Sequence, residues 1–158
     1  MHREDRGDSN SYQIRKLARY ERTYEALLKK HYRKDTKSRK EFEQVIEDLI
    51  EELRINPCSN EISEPEPFPA KTADPTIEFR KKRWRRLPGL QGAARFGRLI
   101  FIVYEQKKLV YLVWIYTHAE YSEPNSRPPD QELKAEINYV KQAIVSVETD
   151  RELEEKHD

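Results

Sequence analysis

Two apolar runs set the terms for the whole chain. Leu99-Ile100-Phe101-Ile102-Val103-Tyr104 is followed, after a turn at Gln106-Lys107, by Leu109-Val110-Tyr111-Leu112-Val113-Trp114-Ile115-Tyr116. Short runs rich in β-branched and aromatic residues read as strands, here 98–105 and 109–116. A tight connection between them makes the pair antiparallel. The second run is apolar at successive positions, so both of its faces must be buried, which puts it at the centre of a sheet covered by helices.

The rest of the sequence supplies those helices. Over 12–32, Leu17, Tyr20, Tyr24, Leu27, Leu28 and Tyr32 recur at helical spacing. Residues 34–37 read as a turn, and Ser38 with Glu41 reads as a capping box that starts a second helix. Phe42, Val45, Ile46, Leu49, Ile50 and Leu53 then form one apolar stripe, stopped by Asn56-Pro57. Two antiparallel helices joined by a short turn are predicted. Five prolines in 56–76 argue for an irregular linker, and 77–87 reads as a further, heavily charged strand. Pro128-Pro129-Asp130 opens a last helix over 128–148, with Leu133, Ile137, Val140, Ile144 and Val147 on one face. The expected class is α+β: an N-terminal helix pair on a small antiparallel sheet, with an extra C-terminal helix. A single domain is expected over 11–150, between a disordered arm at 1–10 and an acidic tail at 151–158.

Charge is abundant and segregated. Charged residues make up 37% of the 158 and the hydrophobic set 36%, so the core must be compact. The net charge of +1 conceals basic stretches at 15–40 and 80–86, an acidic one at 41–52 and an acidic end. Such separation points to a polyanion-facing side. Cys58 is the only cysteine, which rules out an intrachain disulfide and fits a reducing compartment. No apolar stretch follows the charged start, so no signal peptide is expected. The longest apolar run falls short of the ~20 residues that span a bilayer. A cytoplasmic protein without membrane partner is expected.

Three constellations carry chemistry. Phe79-Arg80-Lys81-Lys82-Arg83-Trp84-Arg85-Arg86, on a strand, sends alternate side chains to opposite faces. Lys81, Lys82, Arg83, Arg85 and Arg86 could track RNA phosphates while Trp84 stacks on a base; the bland alternative is an edge strand blunted by charge. Gly92-Ala93-Ala94-Arg95-Phe96-Gly97-Arg98 places two guanidinium groups just before the buried strand, where they suit a phosphoryl group or could instead pair with the acidic helix. Thr117-His118-Ala119-Glu120-Tyr121 sets an imidazole, a carboxylate and a phenol at a strand end. That set can move a proton near neutral pH, or can simply make structural hydrogen bonds. One His and one Glu make a poor metal site, so no metal and no cofactor are expected.

These segments resemble the RelE/ParE superfamily of toxins. Arg95-Phe96-Gly97-Arg98-Leu99-Ile100-Phe101 is similar to its arginine-then-apolar-strand element, and Leu53-Arg54-Ile55-Asn56-Pro57 resembles its second-helix ending. Thr117-His118-Ala119-Glu120-Tyr121 is similar to the ending of HigB-like members, although Ser122 stands where these usually carry Asp. The Pro-rich linker is long for the family, and the chain continues past its usual end. The resemblance covers roughly residues 24–121. It implies a RelE-like fold and a messenger-RNA endonuclease of a toxin–antitoxin system. Such a toxin acts at the ribosome, without a metal, and is neutralised by a cognate antitoxin. Arg95 and Arg98 would stabilise the phosphate, His118 would be general acid or base, and Tyr121 would orient the nucleotide or assist proton transfer. Two alternatives stay open on the same fold: a ParE-like inhibitor of DNA gyrase, and a non-catalytic RNA-binding module.

Overall fold

The structure is a computed structural model describing the backbone of residues 11–121 and 126–157, with side chains to 146. The expected arm at 1–10, Ser122, and the side chains of Val147 and of the 151–158 tail lie outside the described residues. The chain divides into two compact units, Met1–Pro67 with Asp74–Arg127, and Phe68–Ala73 with Pro128–Asp158.

The first unit is an α+β arrangement. Strand β1 (Gln13–Lys16) leads into helices α1 (Ala18–His31) and α2 (Thr36–Ile55), then strands β2 (Glu64–Pro65), β3 (Glu78–Trp84), β4 (Gly97–Tyr104) and β5 (Leu109–Thr117). The sheet order is β1-β5-β4-β3-β2. Strands β3, β4 and β5 pair antiparallel as expected, β2 adds an unexpected antiparallel edge to β3, and β5 is interior, with β4 on one side and β1 on the other.

Strand β1 corrects two expectations. Residues 13–16 were expected inside the first helix, and the sheet was expected to be antiparallel. Instead Gln13, Ile14, Arg15 and Lys16 lie parallel to Leu109, Val110, Tyr111 and Leu112, so the sheet is mixed. The reason is long-range: β5 has backbone groups to satisfy on its second edge, and only a distant segment can supply them. Leu17 is extended (φ −69°, ψ 155°) and marks the change to helix.

The second helix also starts earlier than expected. Its cap is Asp35, whose carboxylate accepts from the Ser38 backbone N–H at 2.9 Å, in place of the expected Ser38–Glu41 box. That hydrogen bond holds the Asp35 carboxyl below its ordinary value.

The helix pair packs on one face of the sheet. Tyr20, Leu27, Leu28, Phe42, Ile46, Leu49 and Leu53 share a core with Leu99, Phe101, Val103, Val110, Leu112 and Ile115. Tyr32, buried, stacks on Phe42 at 4.9 Å and donates to the Pro88 carbonyl at 2.7 Å. Alternation puts Arg98, Ile100 and Ile102 on the opposite face, and these too are buried. The register shifts between Ile100 and Phe101, where β5 carries the extra residue Val113, so a bulge bends β5 against β4. The proline-rich 56–76 stretch is irregular apart from β2, which pairs Glu64 with Lys81 and Pro65 with Arg80.

The second unit holds helix α3 (Asp130–His157), which runs past the expected end at 148. Leu133, Ile137, Val140 and Ile144 are buried at helical spacing, and Lys141 Nζ donates to the Thr72 carbonyl at 2.9 Å. No described helix is long and apolar enough to cross a membrane.

Candidate functional site

The β4–β5 register joins two of the three constellations. Gly97 faces Thr117 and Arg98 faces Tyr116, so the Arg-Phe-Gly-Arg and Thr-His-Ala-Glu-Tyr segments lie side by side at one end of the hairpin. The ladder continues one step further, because the His118 backbone N–H donates to the Phe96 carbonyl at 3.1 Å. Gly97 is required there: a Cβ would come within 2.8 Å of the Leu87 side chain.

Arg95, Phe96 and His118 form a layer. The Arg95 guanidinium sits 4.2 Å from the centre of the Phe96 ring, and the His118 ring lies 5.5 Å from the same ring. Arg95 also donates to the Gly92 carbonyl at 3.2 Å. Alternation puts Phe96, Arg98, Tyr116 and His118 towards one face of the sheet. Arg98 differs from Arg95 in access. It is 7% exposed, and its guanidinium donates to the Gly97 carbonyl at 2.7 Å and towards the Trp84 carbonyl at 3.4 Å. Tyr121 caps the neighbouring row edge-on, 5.5 Å from Tyr116 and 6.3 Å from Trp114.

The turn that carries His118 is tied down by its own residues. Glu120 Oε1 accepts from the Thr117 backbone N–H and from the Thr117 hydroxyl, both at 2.8 Å, and the Thr117 hydroxyl accepts from the Ala119 N–H at 3.0 Å. Glu120 Oε2 meets His31 Nε2 at 3.0 Å and Lys30 Nζ at 3.2 Å. Burial opposes ionisation of Glu120, but the hydrogen bonds from His31, Thr117 and Lys30 outweigh it and hold the carboxyl below its ordinary value. Glu120 is therefore an anchor that fixes the backbone on either side of His118. Sequence reading missed His31, which lies far away in the chain at the end of α1 and had no motif to mark it, and saw Lys30 and Arg19 only as part of the basic 15–40 stretch; the Arg19 guanidinium lies 4.2 Å over the Trp114 ring. Arg19, Lys30, Trp114, Glu120 and Tyr121 line a cavity of about 270 Å³ between α1 and β5.

Set against known proteins, the chain matches no family model, no curated protein and no solved structure.

The third constellation is only partly at the surface. Lys81, expected to bind RNA, is buried and paired with Glu66 at 3.0 Å, and Glu66 also accepts from Arg127 at 2.9 Å. Arg80 is buried too, with hydrogen bonds to Ser63, Asn60 and Glu78. Arg83 forms an ion pair with Glu64 but stays half exposed. Lys82 lies 5.8 Å from the Trp84 ring, and Trp84 packs against the core. Arg85 and Arg86 are exposed. The cause of the correction is β2: the proline-rich segment lays Glu64 and Glu66 along β3, and two carboxylates meet the cations that alternation alone leaves open. The Tyr116 phenol is pushed up, by burial first and then by Glu66, against the opposing pull of Arg98, Arg127 and Arg83.

Proposed function

We propose that this chain is a RelE/ParE-type toxin that cleaves messenger RNA at the ribosome and is held in check by a cognate antitoxin in the cytoplasm. The observation that carries the reading is the β4–β5 register, which sets Arg95, Arg98 and His118 around one strand end with Tyr121 beside them.

The chemistry is metal-independent transfer within the RNA. The 2′-hydroxyl attacks the adjacent phosphorus, the O2′–P bond forms and the P–O5′ bond breaks, leaving a cyclic phosphate and a 5′-hydroxyl. One proton leaves the 2′-oxygen and one arrives at the 5′-oxygen. His118, held by the Thr117–Glu120 turn, moves one of them. Arg95, reachable from solvent, meets the charge that builds on the phosphate oxygens. Arg98 is buried and holds the Gly97 and Trp84 carbonyls, so its part is to fix the strand ends and contribute a positive field. Tyr121 orients the nucleotide. Lys82, Arg83, Arg85 and Arg86 hold the RNA backbone, whereas Lys81 fixes Glu66.

The burial of Arg98 favours one second reading, an RNA-binding module without cleavage. Induced expression with mapping of messenger-RNA ends, wild type against His118→Ala, separates the readings. New ends that vanish in the variant support the nuclease. An absence of new ends with salt-sensitive RNA binding supports the module. Toxicity retained in His118→Ala with DNA damage points to a gyrase inhibitor.

A further inference from the structure

Strand β1 stops short of its partner. It ends at Lys16, opposite Leu112, whereas β5 runs on to Thr117. Beyond Leu112, helix α1 lies along the open edge of β5 in place of a strand. A helix cannot match a strand's row of hydrogen-bonding groups, so each backbone group on that edge needs a partner of its own.

The register decides which groups point there. The His118 N–H donates to the Phe96 carbonyl, so Tyr116, two residues back, also bonds across to β4. The backbone groups of Ile115 and Thr117 then point the other way, towards α1. All but one are met. The Thr23 hydroxyl accepts from the Ile115 N–H at 3.2 Å, and Glu120 accepts from the Thr117 N–H at 2.8 Å. The Thr117 carbonyl accepts from the Glu120 and Tyr121 N–H groups at 3.1 and 3.2 Å. The Ile115 carbonyl accepts from no described residue. Ile115 is 2% exposed, and a carbonyl so enclosed is rarely left without a donor.

Ile115 borders the cavity of about 270 Å³ between α1 and β5. Trp114 and Tyr121 give that cavity aromatic surface, and Ala26 and Leu27 give it an apolar side. Glu120 offers a ligand nothing, because each of its oxygens already has two partners. Lys30 is engaged with that same carboxylate. Arg19, in the first turn of α1, lies over the Trp114 ring and adds its charge to the positive end of the helix. A ligand here therefore needs a flat body, a neutral N–H for the carbonyl and an anionic group for the Arg19 end. A cationic donor is disfavoured by Arg19 and Lys30.

We propose that this cavity binds one nucleotide of a single-stranded RNA, with an amine of its base donating to the Ile115 carbonyl and its phosphate at Arg19. The base lies against Trp114 and Tyr121. Adenine, guanine and cytosine carry such an amine. The inference rests on the RNA reading above, and it gives that reading a base-binding subsite that shares Tyr121 with the His118 end.

Titration of the purified full-length chain, labelled with nitrogen-15, with AMP, GMP and CMP tests this by NMR. The chain has two tryptophans, Trp84 and Trp114, hence two indole N–H signals, which Trp84→Phe assigns. At least one nucleotide is expected to move the Trp114 signal and leave that of Trp84 in place. Ribose 5-phosphate, which has no base, should bind at least tenfold more weakly. Ala26→Phe, at an exposed position on the cavity wall, should abolish the shift, and Arg19→Gln should weaken binding several-fold. No movement of the Trp114 signal up to millimolar nucleotide, or binding unchanged in Ala26→Phe, overturns the proposal. Nucleotide binding by a chain that cleaves no message would keep the cavity and remove the nuclease reading. Cleavage by a chain that binds no nucleotide would do the reverse.

Discussion

The two ends of the β4–β5 hairpin treat their acids in opposite ways. At the His118 end, Glu120 is surrounded by donors, from Thr117, His31 and Lys30, and is held ionised. At the Glu105 end, burial and the acids Glu78 and Glu105 push the Cys58 thiol up to about 12. One end surrounds a carboxylate with donors, and the other sets a thiol between two carboxylates. The hairpin between them is the most deeply buried part of the sheet, every residue of β4 and β5 being buried. A rigid strand pair with polar groups confined to its ends is how a small α+β unit keeps a stable centre and still presents chemistry.

The largest effect should come from the shared centre. Phe101 is fully buried between the sheet and the helix pair, so Phe101→Ala should cost ~3–5 kcal/mol in urea unfolding. It should impair both ends together, and a variant that lost only one would break the comparison. Next comes the buried pair beside the site. Lys81→Ala leaves Glu66 with Arg127 alone and should cost about 3 kcal/mol by the same measurement.

Glu120→Gln is smaller, on the order of 1–3 kcal/mol, because its neighbours lose charge-assisted bonds. Its sign with pH follows from the depressed folded value. The stability Glu120 adds is present above its unfolded value, near 4.5, and is lost as pH falls through the lower folded one. The wild type should therefore lose stability on acidification over that window more steeply than Glu120→Gln. Parallel curves would show that Glu120 is not the anchor. Arg83→Ala, at a half-exposed pair, should cost about 0–1 kcal/mol while weakening RNA binding, and a larger stability loss would mean the strand is structural.

What the sequence disclosed follows from range. The strands, the α2 stripe and the Asn56-Pro57 stop are local patterns, and they were legible. β1 was not, because Gln13-Ile14-Arg15-Lys16 has no period of its own and is a strand only through its pairing with Leu109–Leu112. The two site motifs could be read separately, but their meeting depended on a register that pairs Gly97 with Thr117. The basic strand looked uniformly free, since nothing in a proline-rich linker announces that Glu66 will fold back onto Lys81. His31 escaped for the same reason: it joins the site only through Glu120, which is remote in sequence.

The central claim concerns the His118 end, and the chemical nature of the RNA ends tests it most directly. Ribosomes programmed with a defined message are incubated with purified chain, and the products are analysed by mass spectrometry. Fragments ending in a 2′,3′-cyclic phosphate on one side and a 5′-hydroxyl on the other are predicted, with at least a hundredfold loss of rate in His118→Ala. Fragments carrying 5′-phosphates, or cleavage undiminished in His118→Ala, would contradict it.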